Sequence, residues 1–320
     1  MKRKKVLVIP QASLSHNGGV FTHCVDLINL FLNDDKFDVE LLPKIEVKRF
    51  FGKYIYNFKH LYKAIKESQS DIIHVHGFAT YSPIQSLIIG IILKKKIVYS
   101  PHFHPFEYLN HPWMAKLYFY ALIKPLLRFI GEIVTINNTD YSFFSKYHNK
   151  VSKIPHYLKP FNTQNNNVHK IENMILFVGR YETNKGVEYV EKLPNKFKLV
   201  AVSNKPLNRE NTNLKRDISS DELISLYKSA NLVVIPSRYE AFSYVALEAL
   251  SLGTPVVMSN HVEIASWLNG INGFSVFAYG NQEDFIKKVN DTIGSQVSVE
   301  AVCKIFSAKK IKQLYEKVYK

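Results

Sequence analysis

Short apolar runs rich in β-branched residues alternate with helix-patterned segments almost from one end of this chain to the other. "KVLVIP" (5–10) is followed by a polar loop and then "VFTHCVDLINLFL", whose apolar residues recur at three-to-four spacing. "FDVELLP", "DIIHVHG" (71–77), "KKIVYSP" (95–101) and "EIVTIN" (132–137) repeat the strand pattern. In the second half "MILFVGR" (174–180), "FKLVAVS" (197–203), "NLVVIPS" (231–237) and "TPVVMS" (254–259) do the same. Near-continuous apolar strands separated by helices predict parallel sheets covered on both faces. The asparagine-rich "FNTQNNNVHKIEN" (161–173) has no periodicity and reads as a linker. The expected division is a Rossmann-like domain over 1–165 and a second over 166–300, with a cleft between them. Ligands of such sheets bind beyond the carboxyl ends of the strands, so the residues just after each strand matter most.

Composition narrows the function. The chain has 320 residues and a formal charge of +15, which asks for an acidic partner: nucleic acid, anionic lipid headgroups or phosphorylated small molecules. It carries no RNA-binding aromatic motif, zinc finger or basic region feeding heptads, so nucleic acid is not an expected partner. Two distant cysteines, Cys24 and Cys303, exclude a disulfide framework and fit a reducing cytosol. The apolar run after "MKRKK" is short for a signal peptide, no run reaches the length of a membrane span, and a cytoplasmic location is expected. Residues 44–66 gather Lys44, Lys48, Arg49, Lys53, Lys59, Lys63 and Lys66 against Glu46 alone. There Val47, Phe50, Phe51, Tyr54, Ile55, Phe58, Leu61, Tyr62 and Ile65 recur at helical spacing, although Gly52 interrupts a long helix. Such a face either lies on an anionic membrane or covers the first sheet.

Two post-strand segments carry chemistry. In "FVGRYETNKG", Gly179 permits a tight turn, Arg180 and Lys185 supply cations, and Gly186 opens a helix, a combination suited to a diphosphate. In "EAFSYVALEAL", Glu240 lies in the loop after "NLVVIPS" and Glu248 lies inside the helix that follows. A helix running from residue 242 sets Glu248 about 9 Å along its axis. Two acids so spaced suit the hydroxyls at both ends of an elongated ligand whose negative centre faces the helix N-terminus. The bland alternative is a loop glutamate and a surface glutamate without a ligand. Against it, Val245, Ala246, Leu247, Ala249 and Leu250 surround Glu248, which predicts a half-buried carboxylate with a partner. The pairs His74/His76 and His102/His104 each end a strand and could form H-x-H metal sites, but only Glu107 is close, and no metal is expected.

"PSRYEAFSYVALEALSLGTPVV" resembles the E-x7-E signature of retaining GT-B glycosyltransferases, specifically glycosyltransferase family 4. "DELISLYKSANLVVIPS", "FVGRYETNKG" and "NGINGF" are similar to the family's flanking motifs. "FSAKKIKQLYEKVY" (306–319) is similar to its terminal helices, so residues 301–320 are expected to pack back on the first domain. The resemblance implies transfer of a sugar from a UDP- or GDP-type sugar to a glycan or lipid-linked acceptor, with retention and without a metal. No D-x-D triplet occurs, which agrees. By resemblance, Arg180 and Lys185 neutralise the diphosphate and Glu248 holds the ribose. Glu240 contacts the transferred sugar, and Phe242 and Ser243 present backbone N–H groups. Gly19, with Gly18 beside it, admits the donor. Ala241, where the family commonly has glycine, narrows the sugar site. His102 first, and His104 second, corresponds to a histidine that orients the reacting centre. The rival readings are a sugar-nucleotide epimerase of the same fold and a non-catalytic sugar-nucleotide-binding protein.

Overall fold

The computed structural model describes residues 3–11, 19–50, 53–78, 80–103, 105–106, 111–161 and 168–320. The chain divides into two compact units, Met1–His156 with Ala308–Lys320, and Tyr157–Ser307.

The first unit is built on β1 (Lys4–Ile9), β2 (Phe37–Leu41), a hairpin of β3 (Val47–Phe50) and β4 (Lys53–Tyr56), then β5 (Ile72–His76), β6 (Lys96–Ser100), β7 (Glu132–Thr135) and β8 (Val151–Lys153). Its main sheet runs β2-β1-β5-β6-β7-β8, with every pairing parallel. Val6, Leu7, Val8 and Ile9 are all at most 2% exposed, which is why β1 reads as an unbroken apolar run rather than an alternating one. The order turns back beside β1, so the crevice opens past the ends of β1 and β5. Helix Ala308–Tyr319 closes this unit. Ile311, Tyr315, Val318 and Tyr319 share its buried face, and Tyr319 packs on Phe31 and Phe37 with ring centres 5.7 Å from each. Lys96 and Lys4 donate to the last carbonyls, of Val318 and Lys320. A π turn at Phe119–Ile123 precedes Pro125, which lacks the N–H an α-helix would need there.

The second unit contains β9 (Met174–Val178), β10 (Lys198–Val202), β11 (Asn213–Lys215), β12 (Leu232–Ile235), β13 (Val256–Ser259) and β14 (Phe274–Phe277). Their order β11-β10-β9-β12-β13-β14 is all parallel and turns back between β9 and β12. One apolar cluster centred on Met174, Leu176, Val233 and Leu250 fills one side of this sheet, and another on Ile175, Phe177, Leu232 and Phe285 fills the opposite side.

Three expectations need correction. Val47–Phe50 and Lys53–Tyr56 pair as antiparallel strands with Phe50 opposite Lys53, so no single helical face runs from 47 to 65. Only Phe58–Glu67 is helical, and it buries Leu61 and Ile65 in the first unit's own core, which takes those apolar residues away from any membrane. The first unit ends at His156 rather than residue 165, because that side chain is buried among the unit's histidines. Residues 301–307 belong to the second unit, since Val302 and Phe306 are fully buried in its core.

Candidate active site

In the second unit the loop after β9 and the loop after β12 meet beside the turn-back of the sheet. Gly186 sits at φ +64°, and a Cβ there would come within 1.9 Å of the Pro236 carbonyl oxygen. Glycine is therefore required for the contact. Arg238 N–H donates to the Asn184 carbonyl at 2.9 Å, which ties the loops together. Glu240 is held through its backbone: its N–H donates to His261 and its carbonyl accepts from Glu263, both at 3.0 Å. Its Oε1 accepts from Lys185 Nζ at 2.8 Å and from Ser237 Oγ at 2.7 Å. Lys185 and Glu240 thus form a half-buried ion pair, and Lys185 keeps two further donors for an anion.

Ser243 caps the helix Tyr244–Ser251, its Oγ accepting from Ala246 N–H at 3.3 Å. Because Ser243 is the cap, the helix begins two residues later than the sequence pattern suggests, and Glu248 lies about 6 Å along it. Glu248 is half-buried, and its Oε2 accepts from Tyr227 Oη at 2.9 Å. Burial, and then the Glu248 carboxylate, raise the Tyr227 pKa, keeping that hydroxyl a donor. Both residues line a cavity of about 360 Å³ walled by Leu158, Phe161, Leu223 and Tyr244. Arg180 takes no part in the Lys185–Glu240 pair: it is 71% exposed and pairs with Glu182 at 3.1 Å. The helix that Gly186 opens has only five residues, Val187–Glu191, and its dipole is correspondingly small. Phe242 packs on Phe306, and Ala241 is half-buried.

In the first unit, His76 at the end of β5 and His102 just after β6 share a hydrogen bond, Nδ1 to Nε2, of 3.0 Å. His102 adopts φ +45°, a strained conformation for a histidine that places its side chain by turning the chain sharply after Ser100. His23, from helix Gly19–Leu30, stands beside both and contacts His156 through a 2.7 Å bond between their Nδ1 atoms. Burial foremost, and then neighbouring imidazoles, hold His23 and His76 well below the ordinary histidine range. A Cβ on Gly19 would meet no atom within 4 Å. Gly18 and His104 lie outside the described residues.

Residues 159–309 match the family described as glycosyl transferases group 1. That match spans just under half of the chain. An uncharacterized 41.2 kDa protein in the cps region of Klebsiella pneumoniae is 26% identical across 95% of this chain and 96% of its own length. An uncharacterized glycosyltransferase of Methanocaldococcus jannaschii is 40% identical, over 28% of this chain and 27% of its own. In three dimensions the chain resembles HepE from Anabaena, solved in complex with UDP and glucose, with a TM-score of 0.73 at 14% identity over 99% of both chains. The fold is GT-B, and together the matches support a glycosyltransferase.

The matched segment holds Arg180, Lys185, Glu240, Ala241, Phe242, Ser243 and Glu248. The fold joins Lys185 to Glu240 and keeps Arg180 apart from both. Ser237 and Tyr227 were missed as contacts of the two acids. Ser237 stands only three residues before Glu240 and could have been read from the loop, whereas Tyr227 reaches Glu248 from a separate helix, Ser220–Ser229. In the first unit, His23 and His156 were not singled out, because neither ends a recognisable motif.

Proposed function

We propose that this protein is a retaining, metal-independent hexosyltransferase that moves a sugar from a UDP-sugar to a glycan or lipid-linked acceptor. The Lys185–Glu240–Ser237 cluster at the turn-back of the second sheet carries this reading, with Glu248 and Tyr227 on the cavity nearby. Lys185 spends one donor on Glu240, and its other two serve the diphosphate as the leaving UDP gains charge. Arg180, exposed and paired with Glu182 at the surface, turns toward the phosphates when the donor arrives. Glu248 accepts from the ribose hydroxyls, and Tyr227 holds its second oxygen in place. UDP is favoured over GDP because HepE, similar in fold, is solved with UDP.

Glu240 already accepts from a cation and a hydroxyl, which lowers its nucleophilicity. A front-face transfer, with the leaving phosphate taking the acceptor proton, suits that environment better than a glycosyl-enzyme. Glu240 then fixes sugar hydroxyls and Ala241 limits the room beside them. The resemblance of "YSPHFHP" and the strained backbone of His102 support its role in orienting the reacting centre.

Incubation with UDP-sugars, acceptor fractions and a chelator tests this. UDP release that depends on acceptor, with the product keeping the donor's anomeric configuration by NMR, is expected. An inverted anomer overturns retention, acceptor-independent isomerisation identifies an epimerase, and binding without turnover identifies a carrier.

For membrane association the favoured surface moves to residues 112–129. Trp113, Met114, Leu117, Leu122 and Phe129 are exposed there beside Lys116, Lys124 and Arg128, with no acid between 108 and 131. Flotation with anionic vesicles that Trp113→Ser and Leu117→Ser abolish supports docking, and unchanged flotation removes this surface.

A further inference from the structure

Three elements far apart in sequence deliver an imidazole each to the crevice end of the first sheet: His23 from helix Gly19–Leu30, His76 from β5 and His102 from the turn after β6. Their ring centres form a nearly equilateral triangle with sides of 5.5, 5.2 and 5.3 Å. One nitrogen from each lies within 4.8 Å of the other two. Three imidazoles bound tetrahedrally to zinc place their ring centres about 5 Å apart and their nitrogens about 3.4 Å apart. The rings therefore already stand at ligation spacing, and modest rotation closes the nitrogens.

A second observation is independent of that spacing. His76 is fully buried, and its Nε2 has no hydrogen-bond partner among the described residues. A buried polar nitrogen left so carries its full desolvation penalty, which asks for a ligand at that atom. His23 is also supported as metal-bound imidazoles are: its Nδ1 meets His156 at 2.7 Å and its Nε2 meets Tyr315 Oη at 3.2 Å, so either nitrogen can ligate while the other stays held. The group contains neither carboxylate nor thiolate, which disfavours magnesium and calcium and suits the imidazole-binding metals, zinc foremost.

We propose that His23, His76 and His102 form a binding site for a divalent transition-metal ion of the zinc class, and that occupancy withdraws His102 from sugar transfer. The second half rests on the proposed function, and the first half does not. Metal is then an inhibitor of the reaction and no part of its chemistry. Binding needs only the three lone pairs, because a neutral imidazole loses no proton on ligating a metal.

The test uses full-length protein freed of metal by chelator, titrated with Co²⁺ as an optical probe and with Zn²⁺ in competition. The expected result is one ion per chain, with the intense visible bands of low-coordinate cobalt and displacement by zinc. His23→Gln, His76→Gln and His102→Gln each weaken binding by roughly 10–100-fold or more, while His60→Ala, on an exposed helix position, leaves it unchanged. Circular dichroism confirms folding of each variant, and because His102 is only half-buried its variant keeps the test sound where a core variant fails. Absence of cobalt bands in the wild type, or bands that survive in His102→Gln and His76→Gln, overturns the site. In the transfer assay zinc inhibits and chelator restores activity. Binding without inhibition overturns the link to His102 while leaving the site, and cobalt bands from a protein without transferase activity separate this proposal from the functional one.

Discussion

The two units share a six-stranded parallel sheet yet present opposite chemistry at their crevices. The first gathers the imidazoles of His23, His76, His102 and His156, largely buried. The second places Lys185 against Glu240 and lines a cavity with Glu248, all three half-buried. The strand orders differ as well: the first turns back after one strand beyond its opening strand, the second after two. One scaffold thus offers two kinds of crevice, and the loop residues, not the sheet, decide which. Neutral rings suit positioning and soft metal ions, and a cation–carboxylate pair suits phosphate and hydroxyls.

The largest effect is expected from the charged side. Lys185→Ala removes the only cation bonded to Glu240 among the described residues, and lowers kcat/KM by roughly 10²–10³-fold, as loss of a donor to developing charge does elsewhere. His102→Ala should instead lower kcat with donor affinity little changed, because it positions and does not hold phosphate. Calorimetry with UDP beside steady-state kinetics separates the two. If His102→Ala weakens UDP binding as much as Lys185→Ala does, the division of labour between the crevices is wrong.

The neutral side predicts acid sensitivity of the first unit. His74, bonded to Tyr319 Oη and Ser100 Oγ at 2.8 Å each, is pushed by burial down to about 3, and His23 and His76 are lowered too. Unfolded histidine titrates near 6.5, so below that pH the unfolded chain binds protons the folded unit refuses. In metal-free protein this stability is complete above about 6.5 and lost as the pH falls toward 3. The second unit buries no histidine among its described residues. Hydrogen exchange at pH 5 against pH 8, corrected for intrinsic rates, should show the first unit losing protection before the second, and the reverse order refutes the assignment.

How legible all this was depends on whether the information is local. β1, β5 and β12 were readable because both of their faces are buried, leaving unbroken apolar runs. The acids of "EAFSYVALEAL" were readable because one helix turn fixes their setting. The hairpin of β3 and β4 was misread because its aromatic residues satisfy helical spacing and alternation alike, and the two-residue gap holding Gly52 was the better signal. Short β8, β11 and β14 carry too few residues to show a period. The histidine triangle was invisible: positions 23, 76 and 102 meet only because parallel strands align their carboxyl ends.

A smaller effect is expected at Tyr227. Phenylalanine there keeps the ring packed and removes one neutral-to-charged hydrogen bond to Glu248, worth about 1.5–3 kcal/mol to local order. Part of that returns as water replaces the hydroxyl on the cavity. Weakening of UDP binding by about tenfold or less, with kcat held, is the expected outcome. A fall in kcat at unchanged affinity would move Glu248 from ribose binding to the reacting centre.

The smallest effect concerns how the terminal helix is held to the first unit. Asp34 is buried, which alone raises its pKa, but a 2.7 Å bond from Lys312 Nζ and N–H bonds from Phe37 and Lys36 outweigh that and hold it below the ordinary carboxylate range. A depressed carboxyl contributes stability above its unfolded pKa of about 3.9 and loses it as the pH falls through its lower folded value. Lys312→Met keeps an unbranched apolar side chain and deletes the ammonium, which also stands 5.6 Å from the centre of the Phe31 ring. It should cost about 1–2 kcal/mol at pH 7, read as faster exchange of the Tyr315 and Val318 amides, and the difference from wild type should shrink once Asp34 is protonated. A difference undiminished near pH 3 would make Lys312 a packing residue, and the apolar face of Ile311, Tyr315, Val318 and Tyr319 would then account for the docking by itself.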